Sequence, residues 1–450
     1  MSYLGSLQGK KIAVVGAGVT GQAVHKFLAS HSLDHDTIDE KDKGAKSDVS
    51  THYDLAIISP GWKPTHPLIE KLHAQGTELI SELDFSWLVK EEIAPDQKWI
   101  ALTGTNGKTT SVQMVQSIFE ASGVSGIACG NVGQPVIEVL ASGKHHDFLA
   151  LELSSFQLEW SHLPRFVASA LLNIAPDHID WHGSFDAYAN AKMKLLEFSE
   201  VAILNSSDSE SVLRSSAWGG RKVFYVLDTP AANELGLVEN LLIDRAFGSN
   251  PQQAVAFAEL ADITPTVPHN VLNAMAAAGL ALAIGISHED IRKGLSAFKL
   301  DSHRLEVVLE KDGITWVDDS KATNPHAACA ALLSQLSSIW IAGGLAKGAS
   351  MDDLVSRSAK RIKNAILIGQ DRDLIAAALD KHAPHVTYFR VEFDGDPENL
   401  MRSVVSKAQE LAQSGDTVLL APACASMDQF KDYAERGDIF ARVVREMVGM

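Results

Sequence analysis

The segment Trp99-Ile-Ala-Leu-Thr-Gly-Thr-Asn-Gly-Lys-Thr-Thr110 constrains the fold of this chain more than any other. Its apolar half reads as a buried strand. Its polar half is a tight glycine turn, Gly104-Thr-Asn-Gly-Lys-Thr109, opening onto a helix predicted from Lys108 to about Ala121. Such a turn aims backbone N–H groups at one point, and the helix N-terminus adds positive potential there, so it suits a phosphate chain. Lys108 has the reach to meet the terminal phosphates, and the Thr109 hydroxyl suits Mg²⁺. Leu102 stands where a full Walker A motif has its first glycine. A Gly/Thr-rich turn carrying an ordinary lysine is the plainer reading of the same residues.

Strands and helices alternate along nearly the whole chain, so the class is α/β, with parallel sheets and helical crossovers. The 450 residues suffice for about three domains. The polar, proline-containing stretch Lys90-Glu-Glu-Ile-Ala-Pro-Asp-Gln-Lys98 sets the first boundary, and the second falls near Leu300, giving domains 1–93, 94–299 and 300–450. A hairpin around Lys311-Asp-Gly313 is expected to open the third, and residues 205–268 carry no readable pattern. A net charge of −17 disfavours duplex nucleic acid as a partner. Cys129, Cys329 and Cys424 lie far apart without CxxC spacing, which suits a reducing cytoplasm. The first strand, Lys11–Val15, stands almost at the N-terminus, so no signal peptide is expected. The longest apolar run, Ala274 to Ile286, is too short to span a bilayer. A cytoplasmic chain without a membrane span is the expectation.

Further motifs fall at strand ends. Gly16-Ala-Gly-Val-Thr-Gly21 opens a helix, and Asp39 ends the next strand at about the spacing of an acidic ribose-binding residue. This pattern serves a nicotinamide dinucleotide, another nucleotide diphosphate, or close helix–strand packing alone. Glu152 ends the strand Phe148-Leu-Ala-Leu-Glu152; a carboxylate there faces the crevice beside the P-loop and suits Mg²⁺, or is simply solvated. Asp177-His-Ile-Asp-Trp-His182 also follows a strand, and composition alone makes it a site or a polar surface loop. On the helix Phe185 to Phe198, Lys192 shares a face with Phe185, Tyr188, Leu195 and Leu196, while Lys194 points away. Burial lowers a lysine's pKa, and a neutral amine reacts with CO₂ to give a carbamate, an anionic metal ligand. A snorkelling lysine explains that pattern too. Pro268-His-Asn-Val-Leu-Asn273 begins a helix that groups His269, Asn270 and Asn273; the amides suit an adenine edge, and Asn270 also suits a helix cap. In the last block, Asp319-Ser-Lys-Ala-Thr-Asn324, Gly343-Gly-Leu-Ala-Lys347 and Ala421 to Phe430 each follow a strand, and Asn324-Pro325 marks a helix start. Loops at the C-terminal ends of parallel strands converge on one crevice, and Lys321 and Lys347 predict an anionic ligand there. Each loop alone is also ordinary turn chemistry.

Together these residues resemble the Mur ligase family of peptidoglycan synthesis across all three blocks. The resemblance is carried, in family order, by Gly104 to Thr109, Glu152-Leu-Ser-Ser-Phe-Gln157, Asp177-His178, His269-Asn270 with Asn273, and His303-Arg304. Within the family, Asp319-Ser-Lys-Ala-Thr-Asn324 and Ala423-Cys-Ala-Ser-Met-Asp-Gln-Phe430 are similar to the D-glutamate-adding branch, and the DNPR-type motif of the diaminopimelate-adding branch is absent. The resemblance implies an N-terminal Rossmann-like UDP-binding domain, a central P-loop ATPase-like domain and a C-terminal Rossmann-like amino-acid-binding domain. It implies an ATP-dependent ligase that adds D-glutamate to UDP-N-acetylmuramoyl-L-alanine through an acyl phosphate.

Roles follow from the same resemblance. Gly18, Val19, Thr20, Ser59 and Asn131 would hold the UDP substrate. Gly104, Thr105, Asn106, Gly107, Lys108, Thr109 and Thr110, with Asn273, Arg304 and Asp319, would bind ATP. Thr109 and Glu152 would hold one Mg²⁺; His178 and Lys192, the latter as a carbamate, would hold a second. Lys108, His178 and Lys192 would form the catalytic set. Lys321, Thr323, Lys347, Ser426 and Tyr433 would bind D-glutamate, Tyr433 standing where relatives place a phenylalanine. Asp39-Glu-Lys41 departs from the family pattern. A monomer is expected. Other readings stay open: an NAD-dependent oxidoreductase, a non-catalytic nucleotide switch, and another Mur-type or folylpolyglutamate synthase-like ligase.

Overall fold

Short apolar runs buried along their whole length build the first sheet. The computed structural model describes residues 2–40, 49–248, 250 and 253–449; Lys41 lies outside them. Strands β1 (Ile12–Val15), β2 (His35–Ile38), β3 (Leu55–Ile58) and β4 (Glu78–Ser81) are parallel in the order β2-β1-β3-β4. Every residue of β1 and β3 is buried, which is why both read as unbroken apolar stretches rather than alternating ones. The helix Glu82–Ile93 follows β4, with Ser81 Oγ accepting the Asp84 N–H at its start. The polar run expected as a linker from residue 90 is thus in part the end of a helix, where Glu91 to Ile93 are exposed.

The second sheet holds nine strands: β5 (Lys98–Thr103), β6 (Gly126–Gly130), β7 (Phe148–Glu152), β8 (Phe166–Leu171), β9 (Ser199–Asn205), β10 (Arg221–Tyr225), β11 (Glu234–Val238), β12 (Leu241–Asp244) and β13 (Val255–Glu259). Their order is β13-β12-β11-β10-β9-β8-β5-β7-β6. The sheet is parallel from β6 to β11, while β11-β12 and β12-β13 are antiparallel. The unreadable segment 205–268 therefore extends this sheet, and its far edge departs from the all-parallel expectation. The apolar run after Ala274 lies in the helix Pro268–Ala283, whose alanines and leucines fill the core against β5, β8 and β9. No helix among the described residues is long and apolar enough to cross a membrane.

The third sheet opens with the expected hairpin, β14 (Glu306–Lys311) antiparallel to β15 (Ile314–Asp318). Strands β16 (Ser338–Gly343), β17 (Ile362–Ile368), β18 (Thr387–Arg390) and β19 (Thr417–Leu420) complete it in parallel, in the order β14-β15-β19-β16-β17-β18. The chain groups into two compact units. Met1–Ile174, Gly183–Thr266 and Asn270–Phe298 form the first, with the first two sheets; Ala175–His182, Val267–His269 and Lys299–Met450 form the second, with the third sheet.

Candidate active site

In the first unit, the glycine turn after β5 passes directly into the helix Lys108–Ser122. Gly107 precedes that helix at φ +84°, and a Cβ there would lie 2.3 Å from Asn273 Oδ1. Only glycine satisfies both the left-handed backbone and that approach. Asn273, expected at an adenine edge, is thus packed on the turn itself. Asn173, two residues past β8, clamps the turn from the other side. Its Oδ1 accepts the Asn106 N–H at 2.9 Å, its Nδ2 donates to the Asn106 carbonyl at 3.1 Å, and its own carbonyl accepts the Thr105 N–H at 2.9 Å. Thr105 Oγ1 lies 2.9 Å from the Tyr188 hydroxyl.

Two amines meet at this turn. Lys108 Nζ donates to the carbonyls of Gly104 and Thr105 at 2.8 and 2.9 Å. Lys192, buried to 1% exposure, donates to the same Gly104 carbonyl at 2.8 Å and to Thr103 Oγ1 at 3.3 Å. Its Nζ also stands 4.9 Å from the Tyr188 ring centroid. The apolar helix face therefore delivers Lys192 to the glycine turn and not to solvent, as snorkelling would require.

Glu152 sits beside this turn because β7 pairs Glu152 with Leu102 of β5. One carboxylate oxygen accepts Asn131 Nδ2 at 2.8 Å; the other is buried with no hydrogen-bond partner among the described residues. A buried anionic oxygen lacking a donor is costly. A cation offsets that cost, and an oxygen-seeking ion such as Mg²⁺ fits the donor. The following Ser154 and Gln157 close a capping box on the helix Ser155–Trp160 and so shape the turn after the carboxylate.

The glycine loop of the first sheet is drawn tight. Gly16 has φ +105°, and a Cβ there would lie 2.7 Å from Ser59 Oγ; at Gly21 it would lie 1.7 Å from the Gly16 carbonyl oxygen. Asp39 Oδ2 accepts the Ala17 N–H at 2.8 Å, so the acid that suggested a ribose contact braces the loop. Gly18 caps the helix Val19–Ser30 without a side-chain hydrogen bond. Gly18 and Val19 are exposed, and Thr20 is half-buried.

In the second unit, His178 has φ +51° and its N–H donates to Asp177 Oδ1 at 2.9 Å. The three strand-end loops are hydrogen-bonded to one another. The Ala423 N–H donates to Ala322 O, the Gly343 N–H to Pro422 O, and Leu345 and Ala425 exchange two backbone bonds of 2.8 and 3.0 Å. Lys321 Nζ lies 3.5 Å from the Tyr433 ring centroid, a cation–π contact. Ser426 is buried, Thr323 half-buried, and Lys347 exposed at φ +51°. Asp319 accepts the Leu305 N–H at 3.2 Å, and burial pushes its carboxyl up to about 8. The Leu305 hydrogen bond and the charge of Arg304 pull the other way. His303 is buried, with Nδ1 2.6 Å from Asp318 Oδ2; that hydrogen bond holds its pKa above the ordinary imidazole value.

Sequence reasoning missed Asn173, Tyr188 as a partner of Thr105, and the buried Arg436 that joins two of the loops. An asparagine just beyond a strand next to the P-loop strand was the available signal for the first. The chain matches the family model of the Mur ligase middle domain over residues 102–281 and that of the Mur ligase glutamate ligase domain over 303–424. Curated relatives named UDP-N-acetylmuramoylalanine--D-glutamate ligase include one from Thermobifida fusca, 43% identical and covering 98% of this chain and 100% of the relative. Another, from Streptomyces coelicolor, is 43% identical and covers 98% of each. Among solved structures, a pseudomurein peptide ligase type C from Methanothermus fervidus matches with TM-score 0.60 at 19% identity over 98% of this chain and all of the other. MurF from Acinetobacter baumannii matches with TM-score 0.60 at 20% identity over 94% of this chain and 90% of that one. At such identities these two speak for the fold alone.

Proposed function

Since this chain belongs to the Mur ligase family, we propose that it is an ATP-dependent ligase joining D-glutamate to UDP-N-acetylmuramoyl-L-alanine, a step of peptidoglycan precursor synthesis. The observation that carries this reading is 43% identity over nearly all of both chains to relatives bearing that name. The three-domain division at 93/94 and 299/300, a monomeric state and a cytoplasmic location belong to the same proposal.

The chemistry sets what the side chains must do. A carboxylate acylates poorly because oxide is its leaving group. The alanyl carboxylate therefore attacks the γ-phosphorus of ATP, giving an acyl phosphate and ADP. The neutral amine of D-glutamate then attacks the carbonyl, and the tetrahedral intermediate expels phosphate and loses a proton to form the amide. Each step brings anions together, so the protein's task is to hold them and offset their repulsion.

Lys108 is assigned to the γ-phosphate; it leaves the carbonyls of Gly104 and Thr105 to do so. The turn from Gly104 to Thr110 is assigned to the phosphate chain, with the Thr105 and Asn106 N–H groups held by Asn173 to keep its shape. Thr109 and Glu152 would hold a Mg²⁺, which when bound neutralises charge accumulating on the transferred phosphoryl group. Lys192, as a carbamate, and His178 are assigned to metal as well. Arg304 and Asp319, with Asn273, are assigned to the nucleoside. Gly18, Val19, Thr20, Ser59 and Asn131 are assigned to the UDP substrate. Lys321, Thr323, Lys347, Ser426 and Tyr433 are assigned to D-glutamate, whose two carboxylates suit two lysines.

The test is phosphate release from ATP with Mg²⁺ and UDP-N-acetylmuramoyl-L-alanine, comparing D- with L-glutamate. Release that depends on D-glutamate supports the reading. Release with a folate and L-glutamate instead, or none at all, refutes it.

A further inference from the structure

Arg436 is fully buried in the first turn of the helix Tyr433–Met447. Its three hydrogen bonds among the described residues go to neutral oxygens. Nε donates to Ser320 Oγ at 2.9 Å, Nη2 to the Ser320 carbonyl at 2.8 Å, and Nη1 to the Cys424 carbonyl at 3.3 Å. No carboxylate among the described residues forms an ion pair with it; Asp318 and Asp428 act from farther off. Burial pulls the guanidinium down to about 10, so it stays charged at neutral pH.

A buried cation without a close counter-charge is expensive, and the positive end of a helix adds to the cost. What the fold gains is a joint. Ser320 lies between Asp319 and Lys321 in the loop after β15, and Cys424 lies two residues before Ser426 in the loop after β19. One planar fork thus spans two loops whose backbones also meet where the Ala423 N–H donates to Ala322 O and, at the strand end, the Asp319 N–H to Leu420 O. Ser320 Oγ in turn donates to the Tyr433 carbonyl at 2.7 Å, tying in the residue whose ring Lys321 covers.

We propose that Arg436 is a positioning residue for the acidic amino-acid substrate, fixing the separation between Lys321–Thr323 and Ser426 so that both carboxylates of one ligand are met together. The proposal rests on the D-glutamate reading of these loops. Lysine at this position keeps the charge but loses the fork, and so separates geometry from electrostatics.

The experiment is steady-state kinetics of the full chain carrying Arg436→Lys, Arg436→Met or Ser320→Ala. D-glutamate is varied at saturating ATP and UDP-N-acetylmuramoyl-L-alanine, and the KM for the UDP substrate serves as the control. Arg436→Lys is expected to raise the KM for D-glutamate at least about tenfold with kcat within about threefold. Ser320→Ala, which removes one acceptor, is expected to raise it about threefold to tenfold. The KM for the UDP substrate should move less than about twofold. A purely structural role lowers the amount of active enzyme, hence kcat, and leaves the KM alone; folded Arg436→Lys with the wild-type KM overturns the proposal. Should both Arg436 variants fail to fold, the same split in Ser320→Ala decides. Wild-type protein without D-glutamate-dependent release removes the underlying reading, a result distinct from normal D-glutamate kinetics in the variants.

Discussion

Asn173→Ala is the sharpest probe of the glycine turn, because it removes a two-pronged clamp and little else. The side chain makes two neutral hydrogen bonds to Asn106, at 2.9 and 3.1 Å, while the Thr105 bond to the Asn173 backbone survives the substitution. At about 1 kcal/mol each, the two bonds favour the clamped turn by about 2 kcal/mol. Both are only partly buried, so water replaces some of that, leaving about 1–2 kcal/mol. If the unclamped turn binds triphosphate poorly and is already the main form before ATP binds, the apparent affinity falls with the fraction of clamped turn, by about fivefold to thirtyfold. The assay is phosphate release with ATP varied at saturating co-substrates, alongside a thermal melt. The KM for ATP should rise within that range while the KM for D-glutamate holds. Asn173→Asp should be worse, since it keeps the acceptor, loses the donor and sets a negative charge beside the phosphates. An Asn173→Ala enzyme with a KM for ATP within about twofold of wild type would falsify the clamp argument.

Glu152→Gln should raise the Mg²⁺ concentration for half-maximal activity at least about tenfold, since the buried unpartnered oxygen is replaced by an amide; an unchanged Mg²⁺ titration counts against the metal assignment. Lys192→Ala should lower kcat about a hundredfold or more, and bicarbonate should restore activity to wild-type enzyme stripped of CO₂. An active alanine variant ends the carbamate idea. The His303–Asp318 hydrogen bond raises the histidine's pKa above its ordinary 6.5, so the folded chain keeps a proton that the unfolded chain gives up. That stability is full below about pH 6.5 and is lost as pH rises through the raised value. Urea midpoints should therefore fall between about pH 6 and 9 more steeply for wild type than for His303→Gln, and parallel curves refute the linkage.

The elements legible in the sequence were those whose cause is local. The P-loop is one strand, one turn and one helix start within a dozen consecutive residues, so its chemistry is visible without knowing any neighbour. The helix Glu82–Ile93 is equally local, since Ser81 and Asp84 carry a capping spacing, but the polar Lys90-Glu-Glu run reads as a linker. The segment 205–268 was opaque for another reason. Its strands are four or five residues long and mix buried with exposed positions at an edge where parallel pairing gives way to antiparallel, so neither period persists long enough to read.

The site divides along the same line. Glu152 and Lys192 stand out in the sequence because a strand end and a helix face are local properties. Asn173 was not, because its value depends on Leu171 of β8 lying opposite Thr103 of β5, a pairing between residues far apart in sequence. Only that register brings residue 173 alongside 105 and 106. Arg436 is the stronger case. In sequence it is one charge among several in a polar helix start, Tyr-Ala-Glu-Arg-Gly-Asp. Its burial follows from the β15 and β19 loops closing over it, and they do so because β15 and β19 are neighbours in the sheet. Residues assigned to a ligand therefore leave a local pattern, at a strand end or on a helix face. Residues that hold such motifs in register leave none, because the information that places them is the strand order itself.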